Sequence, residues 1–212
     1  MTRKMVMNSE ESTTEFGLAY CGKALTENTM EVRDLAPALL AFGELFNRAN
    51  NILNGEDLSV SLKVRATKPG SFELLLVLSA AYQSTTQFLS GDMITSAANL
   101  VTLVIGGPKI TESLFSVFKK LKGQQPTSVT SSPDGVTLKA SNVELYVPAK
   151  VFRLYQDKEV HRLSQAVVDP LLREGIDRMV VKKGNKELES VTKDDATTRA
   201  SPLCCCPANM SL

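Results

Sequence analysis

The sequence predicts an α+β protein in which antiparallel β-hairpins pack on an amphipathic helix, with an inserted helical hairpin and a small C-terminal αβ part. Three patterns carry that reading. Leu35, Leu39, Phe42, Phe46, Ala49 and Leu53 recur at alternating steps of four and three, the spacing of a helix with one apolar stripe. Leu58, Val60, Leu62, Val64 and Ala66 alternate with polar residues, the period of a strand with one wet face. Phe72 to Leu78 then returns almost wholly apolar after the turn Lys68-Pro69-Gly70-Ser71, so the two runs form a hairpin beside the helix.

The elements follow in chain order. Residues 14–20 alternate apolar and small or charged residues, a strand pattern. In the helix from about 35 to 53, Asp34 reads as the N-cap, with Pro37 in the first turn where its missing N–H is harmless. Asn54-Gly55 ends it. Ile94, Ala97, Ala98, Val101 and Ile105 form a small-residue stripe, Gly106-Gly107-Pro108 turns the chain, and Ile110, Leu114, Val117, Phe118 and Leu121 line a second helix. Lysines 119, 120 and 122 suit that helix's C-terminus. Beyond the polar stretch 123–128 the β pattern returns around the turn Ser132-Pro133-Asp134-Gly135, with Val136, Leu138 and Ala140, then Val143, Leu145 and Val147. A helix is expected at 149–155, another capped by Asp157, and a last hairpin at 179–191 around Lys183-Gly184-Asn185. The chain thus divides into a flexible N-terminus (1–13), an α+β core (14–123) with the helical hairpin at 92–122, a C-terminal αβ subdomain (124–192) and a disordered tail (193–212).

Composition narrows the function classes. The 212 residues carry a formal charge of +1 and are 43% hydrophobic. Near-neutrality argues against general nucleic-acid binding, and no apolar run reaches the about 20 residues of a spanning helix. Cys21 stands alone, and Cys204, Cys205 and Cys206 are adjacent, so no disulfide framework is expected. With no secretory signal at the N-terminus, a reducing, cytoplasmic setting follows.

Catalytic vocabulary is thin. Gly17-Leu18-Ala19-Tyr20-Cys21-Gly22-Lys23-Ala24 nearly matches a phosphate-binding loop. Ala24, however, replaces the hydroxyl residue that would reach Mg²⁺, and the segment alternates like a strand. His161 is the one histidine, and with no nucleophile motif beside it a surface position is expected. The cysteine run lacks the spacing of a metal site, so neither metal nor cofactor is expected. Two basic groups remain as anion-binding candidates. One is Arg173, Arg178, Lys182, Lys183 and Lys186, diluted by acidic neighbours. The other is Lys63 and Arg65 on the wet face of their strand, with Arg33 and Arg48 nearby in sequence.

The stretches MEVRDLAPALLAFGELFNRANNILNG (30–55), KVRATKPGSFELLLVL (63–78) and VVDPLLREGIDRM (167–179) together resemble a family of short, uncharacterised bacterial and prophage-encoded proteins. The likeness spans about residues 14–192 and excludes the last 20. It implies a phage counter-defence role, by sequestering a nucleotide-derived signal or occluding a host effector. The expected function is therefore non-catalytic binding in a bacterial cytoplasm by a homo-oligomer. Arg48, Lys63 and Arg65 are expected to take anionic groups, with Phe72 and Tyr82 as stacking surfaces. The alternatives are a protein-interaction module acting through the helical hairpin and, third, a nucleotide-acting enzyme.

Overall fold

The computed structural model describes residues 11–25, 27, 29–56, 58–65, 73–82, 96–108 and 110–199. Two antiparallel sheets are joined by helices in an α+β arrangement. Five strands make the larger sheet: β1 (Glu11–Cys21), β2 (Leu58–Arg65), β3 (Glu73–Tyr82), β7 (Arg178–Lys183) and β8 (Lys186–Thr192), in the order β2-β3-β1-β7-β8. The smaller sheet is the meander β4 (Ser128–Ser132), β5 (Gly135–Ala140) and β6 (Val143–Pro148).

The central strand is β1, which pairs with β3 on one side, Leu18 opposite Leu74, and with β7 on the other, Leu18 opposite Val181. Its Phe16, Leu18 and Tyr20 are buried on the helix side together with Leu76, Leu78, Met179 and Val181. Helix α1 (Val32–Asn54) closes that core. Phe42 meets Phe16 edge-on at 6.0 Å and Phe46 at 5.1 Å, and Phe46 lies 5.9 Å from Phe16. Such pairs add about 0.5–1.5 kcal/mol each beyond their area. The expected stripe on α1 is present but widened by Ala38, Ala41 and Leu45, because α5 (Lys158–Val168) packs on the helix as well as the sheet.

Several boundaries differ from the sequence reading. α1 begins at Val32 after Glu31, which makes no side-chain cap, so Pro37 falls in the second turn and Asp34 is not the N-cap. Asp34 instead accepts an ion pair from Arg173 at 3.0 Å. The helical hairpin is two short helices, α2 (Ala97–Val104) and α3 (Leu114–Leu121), capped by Ser96 and Ser113. Their apolar residues Leu100, Val104, Phe115 and Val117 are fully buried, so the hairpin spends its apolar faces inside the subunit. Residues 91–95 at its expected start lie outside the described residues.

The expected break at 123/124 does not separate the C-terminal part, since β7 and β8 extend the same sheet as β1. α4 (Ala149–Tyr155) and α5 form where expected, and Asp157 accepts Val160 N at 3.0 Å as the cap. Lys193–Arg199, read as the start of a disordered tail, is helix α6. Thr192 and Asp195 cap it reciprocally, Thr192 N to Asp195 Oδ2 at 3.0 Å and Asp195 N to Thr192 Oγ1 at 3.3 Å, and Ala196 is buried. Of the flexible N-terminus, residues 11–13 belong to β1, while 1–10, like Cys204, Cys205 and Cys206, lie outside the described residues.

The end of β1 is locked where two backbones cross. Ala24 N donates to Gly175 O at 2.9 Å, and Asp177 N to Cys21 O at 2.8 Å. A Cβ on Gly22 would sit 2.1 Å from Gly175 O, and one on Gly175 2.9 Å from Ala24 Cβ. Gly22→Ala is therefore expected to destabilise by about 1–3 kcal/mol, the range for overpacking a fixed interior. A urea unfolding midpoint equal to wild type would contradict this close approach.

Candidate functional site

Strand alternation gives the five-stranded sheet two unlike faces. Gly43 of α1 faces Leu62, a Cβ built there lying 4.0 Å from Leu62 Cβ, so Leu58, Val60 and Leu62 turn to the helices. Ser59, Ser61, Lys63 and Arg65 turn away and are exposed. Across the ladder the same outer face carries Leu75 and Val77 of β3, Glu15, Gly17 and Ala19 of β1, and Val180 and Lys182 of β7. Leu75 and Val77 are half-buried. Ala19 and Val180 are buried, yet stand apart from the main core. The result is an apolar strip between β2 and β7 with charges at both margins.

Those charges interlock. Arg65 reaches over β3 to Glu15 at 2.5 Å, with both side chains about half exposed. Glu73 reaches over β1 toward Lys182 at 3.7 Å. Gly17 makes the second crossing possible, because a Cβ there would meet Glu73 Oε1 at 2.2 Å. This is also why the near-match to a phosphate-binding loop fails. Gly17 to Cys21 are strand residues, followed by a short 3₁₀ turn at Lys23–Leu25, and no α-helix starts there.

The expected ligand residues do not converge on one place. Lys63 and Arg65 share the outer face. Arg48 sits on α1, on the other side of the sheet, and clamps Asp157 through Nε–Oδ1 at 3.2 Å and NH2–Oδ2 at 2.5 Å. Tyr82 ends β3, paired with Leu58, and its side chain lies outside the described residues, as does Phe72. The second basic group is likewise dispersed. Arg173 pairs with Asp34, Lys182 faces Glu73, and Lys183 Nζ donates to Thr14 Oγ1 at 3.1 Å on the opposite side of the sheet from Lys182.

His161 is not a surface histidine. It is half-buried, packs edge-on against Phe118 at 4.7 Å and tilted against Tyr155 at 4.9 Å, and holds Tyr155 O with Nε2 at 2.5 Å. It therefore joins α3, α4 and α5. Tyr20 is similarly structural. Its hydroxyl donates to Val167 O at 2.8 Å, and burial, with Asp169 adding to it, raises its pKa far above the ordinary phenol.

A feature missed in the sequence is a cleft of about 450 Å³ between the start of α1 and the 3₁₀ turn Asp169–Leu172. Arg33, Asp34, Pro37, Leu172 and Arg173 line it. Around it Val32 is 73%, Leu40 69% and Leu172 43% exposed. The signal was present in part, since Leu40 lies off the apolar stripe of α1. Among the described residues no group of three or more His, Cys, Asp or Glu could hold a metal, and no helix is long and apolar enough to cross a membrane. No protein-family model, curated protein or solved structure matches this chain.

The hydrogen bonds from Arg48 hold the Asp157 carboxyl below the ordinary carboxylate range, and the bond from Val160 N adds to them against the opposing effect of burial. The folded-state pKa is below the unfolded one. The associated stability is thus complete above the unfolded value and is lost as pH falls through the folded value. In urea titrations Asp157→Asn is expected to be less stable than wild type at neutral pH, with the gap closing in acid. A gap that persists unchanged at low pH would exclude this role.

Proposed function

We propose that this chain is a non-catalytic binding protein that captures a nucleotide-derived anion on the outer face of its five-stranded sheet. The observation that carries the reading is the placement of Lys63 and Arg65, two residues apart on an edge strand, both exposed on the sheet face opposite α1. Beside them Val77 and Leu75, their partners in the ladder, offer an apolar bed for a base or sugar. Among the described residues no carboxylate pairs with Lys63. Arg65 is held by Glu15, but exposed ion pairs contribute only about 0–1 kcal/mol, so a multiply charged phosphate competes well for the guanidinium.

The non-catalytic part of the reading is supported by how the polar groups are occupied. The histidine is packed and bonded, the buried tyrosine is bonded to a carbonyl, and Glu112 is shared between Lys120 and Ser116. Capture without turnover depletes a free ligand by mass action and needs no acid or base. The prophage setting implied by the family resemblance gives such depletion a purpose, the silencing of a nucleotide signal in host immunity.

A protein-binding role is the second reading, favoured by exposed Val32, Leu40 and Leu172 around the cleft at the start of α1. Equilibrium dialysis against linear and cyclic nucleotides separates the two. The expected result is saturable binding with unchanged nucleotide recovered, and a loss on the order of tenfold or more for Lys63→Ala and again for Arg65→Ala. No binding to any nucleotide, or binding indifferent to both variants, would overturn the outer-face assignment. Recovery of a converted nucleotide would make the chain an enzyme.

A further inference from the structure

The two edges of the five-stranded sheet are finished differently. At β8 the edge is closed by the subunit itself. Lys119 Nζ donates to Ser190 O at 3.2 Å, Glu189 Oε1 accepts Ser190 N at 2.9 Å, and Asp195 Oδ2 accepts Thr192 N at 3.0 Å. The loop at Gly106 also lies over Leu188 O, which is 3.3 Å from where a Cβ would stand. At β2 the described side chains take only Leu58 O, held by Asn50 Nδ2 at 2.5 Å. Every second residue of an antiparallel edge strand turns its N–H and C=O outward, and an eight-residue strand left in that state is a template for another strand.

We infer that β2 pairs antiparallel with β2 of a second copy of this chain, about a two-fold axis through Ser61. The side chains fit this occupant. With Ser61 opposite its own copy, Val60 faces Leu62 and Leu58 faces Val64 on the helix side, while Ser59 faces Lys63 on the outer side. Val64 is the anomaly that the pairing explains. It turns to the helix side like Leu62, yet is 55% exposed at the end of the strand. The second copy's β2, whose backbone at Leu58 would lie beside it, would cover part of that surface.

Charge sets the direction and register. The cations of β2 lie at one end, at Lys63 and Arg65, so a parallel neighbour would stack like charges. The antiparallel register about Ser61 places the two Lys63 residues four positions apart along the strands, about 13 Å at the usual rise. That is beyond the screening length of about 8 Å at physiological salt. The symmetry keeps both outer faces on one side, so ten strands would form one continuous sheet. This pairing does not depend on what the outer face binds.

Sedimentation equilibrium on the full chain tests it. Wild type is expected to be dimeric. Val64→Lys, an inward charge at an exposed position, is expected to be monomeric with unchanged circular dichroism. Leu172→Lys, in the other exposed apolar region, is expected to remain dimeric. A monomeric wild type, a dimeric Val64→Lys, or dissociation by Leu172→Lys would each overturn the proposal. In a dimeric chain with its four native cysteines changed to serine, Ser61→Cys is expected to form a covalent dimer on oxidation. Failure to cross-link there would also overturn it.

Discussion

The contact between α1 and β1 governs the rest of the molecule. Phe16 is held between Phe42 and Phe46, and through this wedge one long helix is pinned to the middle of a five-stranded sheet. Once α1 is placed, α5 packs along it, and Ala38, Ala41 and Leu45 widen the helix's buried face. The Arg48–Asp157 clamp then holds the start of α5 against it. α2 covers the early part of β1, where Ala97 N donates to Ser12 Oγ at 3.0 Å. Among the described residues α1, α2 and α5 therefore gather on the side of the sheet that carries the aromatic wedge. The outer face is what remains.

That remaining face is neither a plain wet surface nor a second core. Small residues at Gly17 and Ala19 let side chains from neighbouring strands lie across β1. Glu73 therefore reaches laterally over β1 toward Lys182, while Arg65 reaches over β3 to Glu15. A ladder of opposite charges over an apolar strip resists non-specific collapse onto other surfaces. It still yields to a partner carrying several charges, since each exposed pair is individually weak.

What was legible in the sequence followed the range over which each signal acts. The stripe of α1, the alternation of β2, the Ser132–Gly135 turn and the Asp157 cap are all written within a few residues, and each appears in the fold. The start of α1 was misplaced because Asp34 has the chemistry of a cap, but Arg173, far along the chain, claims its carboxylate. Arg48 had the right charge for an anion site, yet its partner Asp157 stands 109 residues away. α6 was readable in principle, from the Thr192-x-x-Asp195 spacing, but the low apolar content of 193–199 hides a helix anchored by Ala196 alone among its buried apolar residues. Nothing local could have placed β1 between β3 and β7.

The position of β1 has a consequence for how the chain is made. β1 precedes the other described strands in the chain, but its β7 neighbour spans residues 178–183. At about 5–20 residues per second, the interval is on the order of ten to thirty seconds. During synthesis β1 can join β3 and shelter under α1, yet its other flank stays bare until the final hairpin emerges. The nascent protein is a three-stranded half-sheet with its hydrophobic centre on the margin. That margin closes when β7 docks, so truncation upstream of residue 178 would leave it open.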